Sequence, residues 1–272
     1  MIVIKHKLFT FVAGCILALI LSTVVLYDYT FVVNPTDLTL RFILKPIPVL
    51  LMVVITIAYM IIYRLHTYAL LIQMSLLFSL MGDVLLMFYE PTIPEYDNIL
   101  FLITGGASFF IGRCIMALAF LVYPFNNCKY NGTMRIGMKK TIITSLVVCI
   151  LMAPSIVVFV IYMKGSVLMK VVLPIYILSM GLDLATATVR IGGYIDETLS
   201  SQVIALIGTI FFMISDYLLF WNLFLGLIPY GDVISITIYW LAMYLITISI
   251  VRTNSYEAEK LNEFTYLPLT VT

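Results

Sequence analysis

The chain has 272 residues, of which 63% are hydrophobic and only 11% are charged, and its mean hydropathy is +1.13. A soluble domain usually carries about 25% charged residues, so this composition indicates an integral membrane protein. The formal net charge of +1 gives no support for the strongly basic surface that nucleic-acid binding requires, and no nucleic-acid partner is predicted. Membrane lipids are the expected surroundings.

Cysteine and histidine are too few and too scattered to suggest a metal site. The candidates are Cys15, Cys114, Cys128, Cys149, His6 and His66. No CxxC pair occurs among them, zinc catalysis is disfavoured, and neither a metal nor a cofactor is predicted. The chain also lacks GxGxxG, GxxxxGK and GxSxG, so it has no dinucleotide, P-loop or serine-hydrolase signal.

Apolar runs separated by short polar turns predict an all-α bundle of about eight transmembrane helices. A helix needs about 20 apolar residues to cross the hydrocarbon core. The candidate spans lie at 8–27, 42–63, 67–89, 98–123, 140–163, 166–189, 201–225 and 233–251. Because no loop is long enough for a separate domain, residues 1–272 are predicted to form one polytopic membrane domain that ends in a short cytoplasmic tail at 252–272.

The distribution of lysine and arginine predicts the orientation, because cytoplasmic loops carry an excess of positive charge. One side would hold Lys5, Lys7, Arg64, Lys129, Arg135, Lys139, Lys140, Arg190, Arg252 and Lys260, and the other only Arg41 and Lys164. Both termini are therefore expected in the cytoplasm. Asn131 begins an Asn-Gly-Thr acceptor on the same side, and we expect it to carry no glycan.

Six charged residues remain inside the predicted spans. They are Lys45, Asp83, Arg113, Lys170, Asp183 and Asp216. A charge near the bilayer centre costs about 3 kcal/mol or more, so such residues usually pair with one another or serve a function. Asp83 and Asp216 lie roughly 9 Å and 14 Å from the non-cytoplasmic ends of their helices, at about 1.5 Å per residue. This similar depth makes both of them candidate functional residues.

The other intramembrane charges have structural explanations. Asp183 is within reach of Arg190 two turns further on, and Lys170 lies near a helix end, where a long side chain extends to the interface. Arg113 lies too deep for that, so pairing with an aspartate or recognition of a phosphate would explain it. A small-residue edge that permits close helix approach precedes it, formed by Gly105, Ser108 and Gly112.

Three motifs occur in an order and spacing that resemble a known family. They are Lys45-Pro46-Ile47-Pro48, Phe78-Ser79-Leu80-Met81-Gly82-Asp83-Val84-Leu85-Leu86 and Phe211-Phe212-Met213-Ile214-Ser215-Asp216. With the predicted spans, this set resembles the YhhN family of integral membrane proteins, which includes the lysoplasmalogenases, over roughly residues 40 to 250. The resemblance implies hydrolysis of the vinyl-ether bond of a lysoplasmalogen in the endoplasmic reticulum. The products would be a fatty aldehyde and glycerophosphoethanolamine or glycerophosphocholine.

Two positions differ from the family's pattern. The chain has Arg113 where the family has a histidine, and Met243 where the family has a glutamine. A guanidinium does not exchange protons near neutral pH, so any proton transfer by that histidine is lost. Either the aspartates carry the chemistry alone, or this member is a catalytically weakened lipid-binding protein.

The sequence thus predicts an intramembrane hydrolase that uses two carboxyl groups and a lysophospholipid substrate from the bilayer. Protonation of a vinyl ether at its β-carbon gives an oxocarbenium ion, which a second carboxylate can stabilise or attack through water, as in glycoside hydrolysis. Asp83 and Asp216 match the family's motif aspartates and are the predicted catalytic residues, with the roles of acid and base open between them. The predicted substrate-binding or supporting residues are Lys45, Arg113, Asn222 and Tyr239.

A membrane transporter is the alternative function, because intramembrane aspartate, lysine and arginine also mark ion and proton pathways. It would move a substrate across a bilayer without breaking a bond. The sequence contains no signal for an oligomeric state.

Overall fold

The computed structural model describes most of the chain from residue 43 onward. The described ranges are 43–63, 67–89, 99–131, 134–163, 167–191, 199–226 and 228–265, together with scattered positions between 14 and 26. Those scattered positions are helical, but most of the predicted span at 8–27 lies outside the described residues.

Seven helices follow one another from residue 43 onward, and no β-strand occurs in the described ranges. They are α1 (Ile47–Tyr63), α2 (Thr67–Leu86), α3 (Ile99–Asn131), α4 (Met134–Tyr162), α5 (Val167–Arg190), α6 (Leu199–Phe224) and α7 (Gly231–Thr265). Helices α2 to α7 each contain an apolar stretch long enough to cross a membrane, whereas the apolar part of α1, Ile47–Ile61, is shorter. The predicted all-α membrane fold is confirmed. The total of eight spans and the cytoplasmic position of the termini stay predictions.

Three helices continue beyond the predicted spans. Helix α3 runs to Asn131, α4 begins at Met134, and α7 runs to Thr265, so much of the predicted tail at 252–272 is helical. Hydropathy marks where the apolar segment ends, whereas a helix continues through polar residues as long as its backbone hydrogen bonds continue. The apolar parts of these helices, Ile99–Leu121, Ile142–Tyr162 and Gly231–Ile250, agree with the predicted spans.

Five helices pack in a closed ring, in which α2 contacts α3, α3 contacts α5, α5 contacts α6, α6 contacts α7, and α7 contacts α2 again. We call this arrangement the five-helix ring. Helix α1 lies against α2 and α7, and α4 lies against α3 and α5 on the outside. Because α4 is outside, α3 and α5 are neighbours that run in the same direction, whereas the other neighbours in the ring are antiparallel.

Small residues allow α2 and α3 to approach closely. A β-carbon on Gly82 would lie 2.5 Å from the ring of Phe109, and one on Gly112 would lie 3.2 Å from the carbonyl oxygen of Ser75. Gly105 also faces α2, where its β-carbon would meet Leu86. The close-approach edge predicted on α3 is therefore confirmed at both of its glycines, and a larger residue there would push the helices apart.

Polar and aromatic side chains are concentrated in two layers inside the five-helix ring, and every helix of the ring contributes to both. The carboxylate layer consists of Asp83, Arg113, Tyr176, Asp183, Asp216 and Tyr239. The Arg190 layer consists of Tyr68, Phe120, Arg190, Ser201 and Ser249. Along α2 and α6 the two layers are separated by fifteen residues, or roughly 22 Å of helix. The carboxylate layer lies toward the face at which α2 and α6 end and α7 begins.

Candidate active site

Arg113 of α3 lies at the centre of the carboxylate layer. Its Nη1 donates a hydrogen bond to Asp183 Oδ2 at 2.9 Å, while Nε and Nη2 donate to Asp216 Oδ2 at 3.1 Å and 2.5 Å. The guanidinium also lies over the ring of Phe212, 3.7 Å from its centroid. The predicted pairing of Arg113 with an aspartate is confirmed, and it involves two aspartates from two other helices.

Asp216 of α6 receives a further hydrogen bond from a residue that the sequence did not single out for the site. The hydroxyl of Tyr176 in α5 donates to Asp216 Oδ2 at 2.8 Å. All of these hydrogen bonds end on Oδ2, so in the described part of the structure Oδ1 of Asp216 has no hydrogen-bond partner. Tyr176 lies seven residues before Asp183 on the polar side of α5, and this helical spacing was the signal that could have identified it.

Asp83 of α2 has a different environment from Asp216. The hydroxyl of Tyr239 in α7 donates to Asp83 Oδ2 at 2.8 Å. The ring of Tyr239 packs between two phenylalanines, 5.9 Å from the centroid of Phe109 and 5.6 Å from that of Phe212. The two motif aspartates belong to one cluster, because the ring of Phe212 packs against both Tyr239, which binds Asp83, and the guanidinium of Arg113, which binds Asp216.

The remaining predicted residues, Lys45 and Asn222, lie in different places. Lys45 is half-buried just before α1, which packs antiparallel against α2, so Lys45 lies at the end of α2 that carries Asp83. Asn222 is instead bound within the connection between α6 and α7, where Nδ2 donates to Asp232 Oδ1 and Oδ1 accepts from the backbone of Ile228, both at 3.0 Å. Lys45 therefore belongs with the carboxylate layer, whereas the contacts of Asn222 hold a helix connection together.

A family model matches residues 40–250 of the chain, which include Lys45 and every member of the carboxylate layer. The chain belongs to the YhhN family. No curated protein and no solved structure matches it. The resemblance seen in the three motifs is thus confirmed at the level of the family, over the residue range in which the five-helix ring lies.

One expected ion pair is absent from this YhhN family member. Asp183 pairs with Arg113 rather than with Arg190, although the sequence places Arg190 within reach on the same helix. Arg190 belongs to the second layer, where Nη1 donates to the hydroxyl of Tyr68 at 2.5 Å and the guanidinium lies 4.0 Å from the centroid of that ring. The prediction was wrong because two turns separate the residues by roughly 10 Å, and each residue has partners on neighbouring helices at its own depth.

The carboxylate layer of this YhhN family member is almost completely buried and has an excess of acidic groups. Asp83, Arg113, Asp183 and Asp216 are at most 5% exposed. Their three carboxyl groups share the layer with the guanidinium of Arg113, and the half-buried Lys45 lies at the same end of the bundle. A buried unpaired charge is costly, so the layer is neutral when one of its carboxyl groups holds a proton. This arrangement is suited to delivering a proton to a bound substrate and taking one back.

Proposed function

We propose that the protein is an intramembrane hydrolase that cleaves the vinyl-ether bond of a lysoplasmalogen. The observation that carries the proposal is that Asp83 and Asp216, from different helices, have partners that pack against the same ring, Phe212, in one buried layer that has more carboxyl groups than cations. Membership of the YhhN family, which includes the lysoplasmalogenases, supports the same activity. The endoplasmic reticulum, implied by the family resemblance, is the proposed location.

The hydrogen bonds suggest how the two aspartates divide the work. Asp216 accepts two hydrogen bonds from the guanidinium of Arg113 and one from Tyr176, an arrangement that favours its ionised form. Asp83 accepts a single hydrogen bond from the neutral hydroxyl of Tyr239. We therefore assign Asp83 as the acid and Asp216 as the base. Arg113 fixes the position of the base and takes no part in proton exchange.

The reaction that follows from this assignment needs only water as a second substrate. Asp83 gives its proton to the β-carbon of the vinyl ether, and the α-carbon becomes part of an oxocarbenium ion that the carboxylate of Asp216 stabilises. Asp216 then takes a proton from a water molecule as the water oxygen bonds to the α-carbon. The resulting hemiacetal collapses: its hydroxyl proton passes to Asp83, Asp216 gives a proton to the leaving glycerol oxygen, and the aldehyde and the glycerophospho-alcohol are released.

Aldehyde release by the purified protein tests this proposal directly. With a 1-alkenyl lysophospholipid as substrate, we expect Asp83→Asn and Asp216→Asn each to lower kcat/KM by about 100-fold to 10,000-fold, the usual contribution of a general acid or base. Asp232→Asn is the matched control, because Asp232 is exposed and lies in the first turn of α7, outside the carboxylate layer. Wild-type protein that releases no aldehyde, or aspartate variants as active as the control, would refute the proposed function.

A binding protein without catalysis is the second candidate, and one observation favours it. Arg113 replaces the family's histidine and uses donors on all three of its nitrogens to hold two carboxylates, which could leave the layer too firmly paired for proton transfer. Such a protein would bind a lysoplasmalogen and would release no aldehyde even after long incubation. A transporter would instead move the lipid across a liposome membrane intact.

A further inference from the structure

The position of the carboxylate layer along the helices places it near one membrane surface. Asp83 is three residues before the end of α2, and Tyr239 is eight residues after the start of α7. At about 1.5 Å per residue, these residues lie roughly 5 Å and 12 Å from those helix ends. Lys45 comes two residues before the start of α1, at the same face. The side of the layer that holds Asp83 and Tyr239 is therefore within reach of lipid head groups at this face.

The other direction through the five-helix ring is filled by packed side chains. Between the carboxylate layer and the Arg190 layer lie Ile72, Leu76, Met243 and Ile246, each at most 1% exposed. The Arg190 layer beyond them is also buried, and it is cross-linked by the hydrogen bonds of Tyr68 to Arg190 and Ser249. A lipid therefore has its shortest route to Asp83 from the leaflet at the face where α7 begins.

Of the two cations near Asp83 and Asp216, only one is available for an anionic ligand. Arg113 is 1% exposed and donates to Asp183 and Asp216 from all three of its nitrogens. Lys45 is half-buried, and within the described residues no hydrogen bond or ion pair holds its ammonium group. An ammonium group at this depth can bind a phosphate at the interface while its aliphatic stem stays among apolar side chains.

We infer that Lys45 binds the phosphate of a lysophospholipid taken from the leaflet at the face where α7 begins, and that this contact sets the ether bond against Asp83. The inference rests on the proposed function. In a lysophospholipid the phosphate and the chain-bearing oxygen are attached to the two ends of one glycerol unit. Because α1 packs against α2 and Lys45 lies at the same end of this pair as Asp83, a phosphate held by Lys45 leaves the bond to be cleaved near the carboxyl group of Asp83. Lys45 is thus a specificity residue for phosphate-bearing ether lipids.

Equilibrium binding of non-cleavable ligands tests the phosphate contact without any need for catalysis. We expect Lys45→Gln to weaken the binding of a 1-alkyl lysophospholipid by about 10-fold to 100-fold, the range for a hydrogen bond between charged groups. Its affinity for 1-alkylglycerol, which has no phosphate, should be unchanged, and Lys45→Arg should restore most of the lost affinity. Lys170→Gln, which changes another half-buried lysine near the same face, is the matched control.

Equal binding of the lysophospholipid by Lys45→Gln and wild type would overturn the inference, as would an equal loss of affinity for both ligands. If Lys45→Gln weakens the binding of the lysophospholipid alone but the wild-type protein releases no aldehyde, the proposed function fails and the phosphate site stands.

Sealed vesicles test the leaflet. A protein molecule whose α7 begins at the outer face has the far end of α7 inside the vesicle, where external protease does not reach it. Only protein molecules in this orientation should cleave a 1-alkenyl lysophospholipid that is added from outside. Cleavage by the opposite orientation would overturn the assignment of the leaflet.

Discussion

Arg113→Met removes a buried positive charge while keeping most of the side-chain volume, and it should strongly destabilise the protein. Breaking a buried ion pair by removing one partner costs about 3 to 5 kcal/mol. Here Asp183 and Asp216 lose the same partner, at 2.9 Å and 2.5 Å, so the cost should approach about 5 kcal/mol. Each kcal/mol shifts Tm by roughly 2 to 4 °C in a chain of this size, so we expect Tm to fall by roughly 10 to 20 °C.

Thermal unfolding of the purified protein in detergent, followed by intrinsic fluorescence, measures this loss. A second variant, Arg113→Met with Asp183→Asn, should regain part of the lost Tm, because it leaves one unpaired carboxyl group instead of two. Lys170→Met is the control, since it removes a half-buried lysine that has no ion pair within the described ranges. An Arg113→Met protein that melts with wild type, or a double variant that melts lower than the single one, would refute the reasoning.

Two further predictions concern the packing of the ring and the support of Asp83. Gly82→Ala should lower the free energy of unfolding by about 1 to 3 kcal/mol, because the new β-carbon would lie 2.5 Å from the ring of Phe109. Gly106→Ala is the control and should leave Tm unchanged, because a β-carbon there would have no neighbour within 4 Å. Equal Tm values for the two variants would contradict the close packing of α2 and α3 at Gly82. Tyr239→Phe should lower that free energy by about 1 to 3 kcal/mol, because Asp83 Oδ2 loses its buried donor. Wild-type Tm in this variant would show that the hydrogen bond is not formed.

The sequence predicted how deep a charged residue lies along its helix and which face of the helix carries small residues, because both depend on spacing within one helix. Asp83 and Asp216 were predicted at a common depth, and the structure places them in one layer on either side of the contacts that Phe212 makes with Tyr239 and Arg113. The edge at Gly105 and Gly112 was read from helical spacing and faces α2 as expected. Arg113 was expected to pair because it lies too deep to reach water.

The choice of partners could not be read from the sequence, because it depends on which helices are neighbours. Asp183 was assigned to Arg190 on its own helix, but the guanidinium of Arg113, seventy residues away in the chain, is the one that binds it. Tyr176 was visible only as part of a polar stripe until α5 was placed against α6, where it donates to Asp216. The hydrogen bonds of Asn222 to Asp232 and to the backbone of Ile228 likewise depend on which helices are neighbours, and its role in substrate binding stays a prediction.

The contacts that hold Asp83 and Asp216 connect two helical hairpins, α2–α3 and α6–α7, and this has a consequence for biosynthesis. Asp83 on α2 is held by Tyr239 on α7, and Asp216 on α6 is held by Arg113 on α3. Because helices emerge from the ribosome in order, the α2–α3 hairpin must enter the bilayer before either of its final partners has been synthesised. An early intermediate therefore carries one acidic and one basic side chain at a cost of several kcal/mol, about 3 kcal/mol for each. Products that terminate before α5 would lack every partner of both charges, and insertion chaperones or membrane-protein quality control would be expected to recognise them.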